Sequence, residues 1–284
     1  MQITISHLFE CKLNGIKCSG KFLSRLNQLY QGYVSSFFIG GKLPLMMDLK
    51  LHHTLHVVEN AALIAQGESW DENLSLLGQA AALLHDTGRY SQLKEFGTFR
   101  DQDSTDHARR SHDIVLQQGW LAPLPSSEQL AILTAVLLHS QKTVELEMPI
   151  RSENDRDLLL KVCHIVRDAD KLDIFRVLEE SAGKKDLERH PEIAWGLPAF
   201  QDPNPEVIAR VCSGQPVDYS MIHSLSDFVL VQVGWMVSGL CYATSRRLTK
   251  ERNHLEFRRT FLKKLSDSPE IDRACDLAGE KLDQ

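Results

Sequence analysis

The sequence predicts an all-α fold, a helical bundle with a helical C-terminal extension. Apolar residues recur three and four apart through most of the chain, and runs that alternate in the strand manner are few. Helix punctuation agrees: Ser126 and Ser127 follow Pro125, and Gly67, Gly88 and Gly119 suit helix ends or the turns just beyond them. Helices are expected near 21–38, 49–66, 72–87, 105–118, 127–140, 155–182, 205–213, 222–247, 249–265 and 270–282. The plausible strand is Ile3-Thr4-Ile5.

Composition narrows the function classes. The 284 residues are 43% hydrophobic, ample for a core, and a formal net charge of -6 argues against a general polyanion binder. Sequence-specific nucleic acid is therefore not an expected partner. Cys11, Cys18, Cys163, Cys212, Cys241 and Cys275 are scattered without a CxxC pair, and Met1-Gln2-Ile3-Thr4-Ile5 lacks the regions of a signal peptide. Both features read as a reduced, cytoplasmic chain.

Placing polar residues on helical faces, at about 100° per residue, shows which point with the apolar ones. The helix near 49–66 carries His52, His53 and His56; His52 and His56 are spaced to chelate one ion, and His53 serves equally alone. Near 72–87 the run Ala80-Ala81-Ala82-Leu83-Leu84 ends in His85-Asp86. An aspartate finishing a segment apolar on nearly every side is buried, and a lone buried carboxylate is costly unless a cation or donors surround it. A bound metal is the simplest explanation.

His107 shares a face with Ser111 and Ile114 on the helix near 105–118, whereas His112 is rotated away. On the helix near 127–140, Ile132, Val136 and His139 form a stripe. On the helix near 155–182, Leu159, Cys163, Val166 and Asp170 do the same, which puts Asp170 inward and Asp168, about 200° away, on the polar side. The stretch from Pro191 to Pro205 is the main punctuation. Beyond it, Phe228 to Ser245 carries no charge; Gln232, Ser238 and two glycines favour a buried helix over a membrane span, and the extension is expected either to wall the pocket or, through this long uncharged helix, to make a dimer contact. His7, His164, His190, His223 and His254 read as surface or hydrogen-bonded core groups.

At these residues the chain resembles a family. The ordered set His-Thr-Leu-x-Val-Val from His53, His-Asp-Thr-Gly from His85, and Asp-Ala-Asp-Lys-Leu-Asp from Asp168 is similar to the HD-domain metal-dependent phosphohydrolases over roughly 49–180. The resemblance implies an HD-domain-like bundle over 20–183, preceded by a segment 1–19 and followed by a helical extension 184–284 packed on the same domain. It implies His53, His85, Asp86 and Asp170 as metal ligands. His107 and His139 fall where two-metal branches carry further histidines. The chain departs from the cyclic-dinucleotide phosphodiesterases of that family: it has His139-Ser140 where they carry adjacent histidines, Arg89 where they carry lysine, and no Gly-Tyr-Pro.

Imidazole and carboxylate ligands without thiolates suit one or two divalent ions, Mn, Fe, Co, Ni or Zn, with Mg also accepted. The expected reaction is cleavage of a small-molecule phosphoester, nucleotide-like in class, by metal-activated water, with Asp86 bridging. Arg89, Arg100, Arg109 and Lys171 are basic groups near the motifs; Arg89 and Lys171 are taken as the catalytic cations. Asp173 reads as an orienting group or as the next polar position along the helix. A diiron oxygenase on the same ligands, and a nucleotide-binding regulator without catalysis, are the alternatives.

Overall fold

The computed structural model describes residues 17–146, 150, 152–184, 186–199 and 201–284. Ile3-Thr4-Ile5, His7 and Cys11 lie outside the described residues. Among the described residues the regular structure is helical; Ile39 and Lys42 form an isolated antiparallel bridge. No described helix is long and apolar enough to cross a membrane. The chain divides into two compact units, one of residues Met1–Gly97 and Asp101–Val166, the other of Thr98–Arg100 and Arg167–Gln284.

The first unit is built from α1 (Gly20–Ser35), α2 (Leu45–Gly67), α3 (Glu72–Leu84), α4 (Thr87–Phe96), α5 (His107–Gln118), α6 (Ser126–Leu138) and the first part of α7 (Glu153–Gly183). Helix α1 starts where the Ser19 hydroxyl accepts the Phe22 N–H, and it buries Phe22, Leu26, Tyr30 and Val34, one residue per turn. The Asp71 carboxylate caps α3 in the same way. Helix α3 packs against α1, α2 and α6, and its second half, Ala80 to Leu84, is buried throughout, which is why that stretch is wholly apolar. Asp106 caps α5 through the N–H groups of Ala108 and Arg109, and Gly119, at φ 63°, closes it.

The helix expected over 72–87 is present and ends at Leu84, and a helix that the sequence does not predict follows it. Helix α3 ends at Leu84, His85-Asp86 make the turn, and α4 runs from Thr87 to Phe96. Gly88 therefore sits in the first turn of a helix, and its role is packing. A Cβ there would lie 2.7 Å from both His107 O and Ser111 N on α5. The Gly88 N–H donates to Ser111 Oγ at 2.8 Å, and that hydroxyl donates to His107 O at 2.8 Å. The sequence reads Gly88 as a stop, whereas α5 needs it as a saddle. Gly88→Ala is expected to destabilise the protein by about 1–3 kcal/mol or more through forced separation of α4 and α5. Urea denaturation checks this, and an unchanged midpoint would show that the helices part without cost.

The Tyr30 and Tyr90 hydroxyls meet at 2.9 Å in the core of this unit. Burial pushes the Tyr30 phenol up to about 12 and raises Tyr90 as well. The unfolded chain releases the Tyr30 proton near pH 10 while the folded one keeps it. Stability is thus full below pH 10 and is lost as pH rises towards 12, by about 2–3 kcal/mol for Tyr30. Denaturation at pH 8 and pH 11 measures the loss, and Tyr30→Phe should shrink it; an equal loss in both proteins would contradict the assignment.

In the second unit, α9 (Pro205–Cys212), α10 (Leu225–Gly234), α11 (Ala243–Glu251), α12 (His254–Leu265) and α13 (Pro269–Leu282) follow the short α8 (Asp186–Arg189). Helices α9, α12 and α13 pack around α10, whose start is a reciprocal cap between Ser224 and Asp227. The helix expected over 222–247 is interrupted. After α10 the backbone widens into a π turn, Trp235–Gly239, and the chain is extended at Leu240 before α11. Asp168 of α7 takes up the freed donors, accepting the N–H groups of Cys241 (2.9 Å) and Tyr242 (3.0 Å), and Lys171 Nζ donates to Gly239 O at 2.9 Å. Val229, Leu230, Val231, Val233, Met236 and Val237 are buried, so the uncharged stretch is the core of this unit.

Candidate metal centre

Four histidines and one aspartate converge in the first unit, and each is aimed by local structure. His85 and His139 occupy equivalent places, the residue after the last turn of α3 and of α6. In both, Nδ1 faces the carbonyl oxygen three residues back, Ala82 at 2.7 Å and Val136 at 2.8 Å. A carbonyl only accepts, so Nδ1 carries the proton, a carbonyl at the helix end is satisfied, and Nε2 points away from the helix. His107 opens α5, and its Nδ1 donates to Asp101 Oδ2 at 2.5 Å. His53 is buried on α2.

Asp86, 2% exposed, is the hub. Its Oδ2 lies 3.5 Å from His85 Nε2 and 3.7 Å from His53 Nε2. Its Oδ1 lies 3.5 Å from His107 Nε2, 3.6 Å from His139 Nε2 and 3.5 Å from Arg89 Nε. Oδ1 accepts no hydrogen bond at these separations. The two facing Nε2 atoms of His107 and His139 are 3.0 Å apart. In neutral rings whose Nδ1 atoms both donate elsewhere, these Nε2 atoms are lone pairs, so three electron-rich atoms face one another with no proton among them.

That arrangement fits a divalent cation. Two ligands each about 2.1 Å from a shared ion lie roughly 3.0–3.5 Å from one another. His85, Asp86 and His139 also offer ligand atoms all within 4.8 Å of each other. The rings of His85, His107 and His139 are each oriented through Nδ1 by an outer hydrogen bond, the usual support of a metal-binding histidine.

Electrostatics agrees with an anionic Asp86 and a neutral His107. Burial opposes ionisation of Asp86, but the Lys50 ammonium and His85 outweigh it and hold the carboxyl well below the usual range. Burial, then the nearby Arg89, lowers His107 to about 4, keeping it neutral. Asp101 also titrates low, at about 2, because His107 and Arg89 overcome its burial.

The remaining predicted residues fall as follows. Arg89, besides its approach to Asp86, donates to Asp101 Oδ1 at 3.1 Å and to Gln92 Oε1 at 2.9 Å. Arg100 is half-buried and Arg109 is exposed. Asp170 lies on α7, four residues beyond the last residue of the first unit, and is half-buried. Asp168 is fully buried, contrary to the expectation that it sits on a polar side. The reason is that Val162, Ile165, Ala169 and Leu172 are buried along with the expected stripe, so this part of α7 has no single inward face. Lys171 is buried, which lowers its pKa, and its amine holds Gly239 O. Asp173 is buried and pairs with Arg176 at 2.7 Å. His52 is exposed, while His56 turns back to His52 O and His112 meets Asp113.

Sequence reasoning missed Lys50, whose Nζ donates to Asp86 Oδ2 at 2.7 Å, and Asp101 with its partner Gln92, whose amide donates to Asp101 Oδ1 at 2.9 Å. Lys50 stands three residues before His53, so helical spacing carried a signal; no spacing rule links Asp101 to His107.

Residues 51–174 match the model of the family described as HD domain. The matched span includes every predicted metal ligand from His53 to Asp170. No curated protein and no solved structure matches the chain.

Proposed function

With the chain carrying an HD domain over residues 51–174, and through it belonging to the HD-domain superfamily, we propose that it is a metal-dependent phosphohydrolase acting on a small, nucleotide-like phosphoester. The observation that carries this reading is the division of Asp86, with Oδ2 towards His53 and His85 and Oδ1 towards His107 and His139. Such a carboxylate would hold one divalent ion together with His53 and His85 and a second together with His107 and His139; Asp170 is a further ligand that the resemblance implies. The ions, when bound, lower the pKa of a coordinated water and neutralise charge on phosphoryl oxygens.

The chain's residues supply the rest. The imidazoles of His85, His107 and His139, held through Nδ1, present Nε2 without reorganisation. Arg89, fixed between Asp86, Gln92 and Asp101, offers guanidinium donors at the edge of the cluster for an oxyanion. The acidic Asp101 keeps Arg89 and His107 in register.

Metal analysis of freshly purified protein, coupled to a phosphoester screen with Mn, Co, Ni, Mg and Fe, tests the proposal. Near two ions per chain with phosphoester turnover is the expected result. About two irons with oxygen uptake and no phosphoester turnover would replace it with the oxygenase, and a chain that takes up no metal would replace it with the regulator.

A further inference from the structure

We propose that Lys50 is a displaceable counter-ion: its ammonium and a divalent ion compete for Asp86 Oδ2, and metal binding releases Lys50 to contact an oxyanion such as a phosphoryl group. This rests on the metal reading above. Asp86 Oδ2 is shared by three groups, the Lys50 ammonium at 2.7 Å and the Nε2 atoms of His85 and His53 at 3.5 and 3.7 Å. The distances separate their roles. The ammonium is in hydrogen-bond contact, whereas the imidazoles stand back at separations that ligands of one ion adopt.

A divalent ion on Oδ2 repels an ammonium at hydrogen-bond distance from the same oxygen, so the two cations compete for one atom. Lys50 can withdraw, since its side chain is 16% exposed on a flexible four-carbon stem, while His53 and Asp86 are each 2% exposed and fixed. Three residues before His53 on α2, it remains beside the ions after withdrawal. An anion approaching from solvent then meets three N–H donors and a positive charge. Lys50 thereby changes partner, from carboxylate to substrate oxyanion, without loss of its charge.

The inference makes an uncommon demand: removing a positive residue should tighten cation binding. The test compares wild type, Lys50→Met and Lys50→Gln by chelator competition for Mn²⁺ and by titration of the Mn²⁺-loaded proteins with inorganic phosphate. Lys50→Gln keeps an N–H donor for Asp86 Oδ2 and so guards against a Lys50→Met protein that does not fold. Both variants should bind Mn²⁺ about tenfold more tightly and phosphate about tenfold more weakly. Thermal melts should show a deficit in EDTA that narrows when Mn²⁺ is saturating, as linkage requires. Equal or weaker Mn²⁺ affinity in the variants overturns the displacement, and unchanged phosphate affinity overturns the transfer to the oxyanion. If wild type and variants alike bind no Mn²⁺, the metal reading falls and this inference falls with it.

Discussion

Asp86→Ala is expected to remove bound metal and turnover together. Both carboxylate oxygens serve histidine pairs, so truncation deletes the one group common to the whole centre. On the proposed function, several kcal/mol of transition-state charge stabilisation would disappear with the ions, on the order of 10³-fold in rate or more. The variant also leaves the Lys50 ammonium without its 2.7 Å carboxylate, at a cost of a few kcal/mol in folding. Circular dichroism should therefore accompany metal analysis and a phosphoester assay. A folded Asp86→Ala protein with full metal content and full turnover would mean that the centre lies elsewhere.

Arg258→Ala should be the most damaging substitution in the second unit. Arg258 is fully buried. Its guanidinium donates to Glu179 Oε1 (2.7 Å), Gln232 Oε1 (2.8 and 3.0 Å), Phe175 O (3.0 Å) and His254 O (2.7 Å), and lies 4.3 Å from the Phe175 ring centroid. Truncation strands the Glu179 carboxylate, also bound by His254 Nδ1 at 2.6 Å, and leaves a void. A loss of about 3–5 kcal/mol is expected. Chemical denaturation measures it, and adding Glu179→Gln to Arg258→Ala should recover part, because the stranded charge is then gone. A loss under about 1 kcal/mol would show that the cluster relaxes or hydrates freely.

How much of this was legible depended on whether chemistry or packing decided the position. His85-Asp86 was readable because a carboxylate ending an apolar helix has few explanations, and His139 because it continued the Ile132 and Val136 stripe. Gly88 was misread since a stop signal and a close-contact signal use the same residue; only the approach of α5 separates them. Asp168 was placed on a polar side because a single amphipathic stripe was assumed, whereas α7 is buried on several faces there. The break at 235–242 was hidden for a related reason. Its freed N–H groups are satisfied from a helix more than seventy residues earlier, which no local window contains. Gln232 looked like dilution of an apolar run and is the acceptor for a buried arginine.

The histidines of the centre differ in what their aim depends on. His85 and His139 are steered by main-chain carbonyls, which every residue type supplies alike while the backbone keeps its course. His107 is steered by the side chain of Asp101, which also holds Arg89 and Gln92. Mutational drift around the first two rings thus leaves their orientation intact as long as the helices persist. Around the third, one codon change at position 101 is enough to free the ring. The centre accordingly has two robustly aimed rings and one tunable ring, and variants with altered metal preference should be sought first at Asp101.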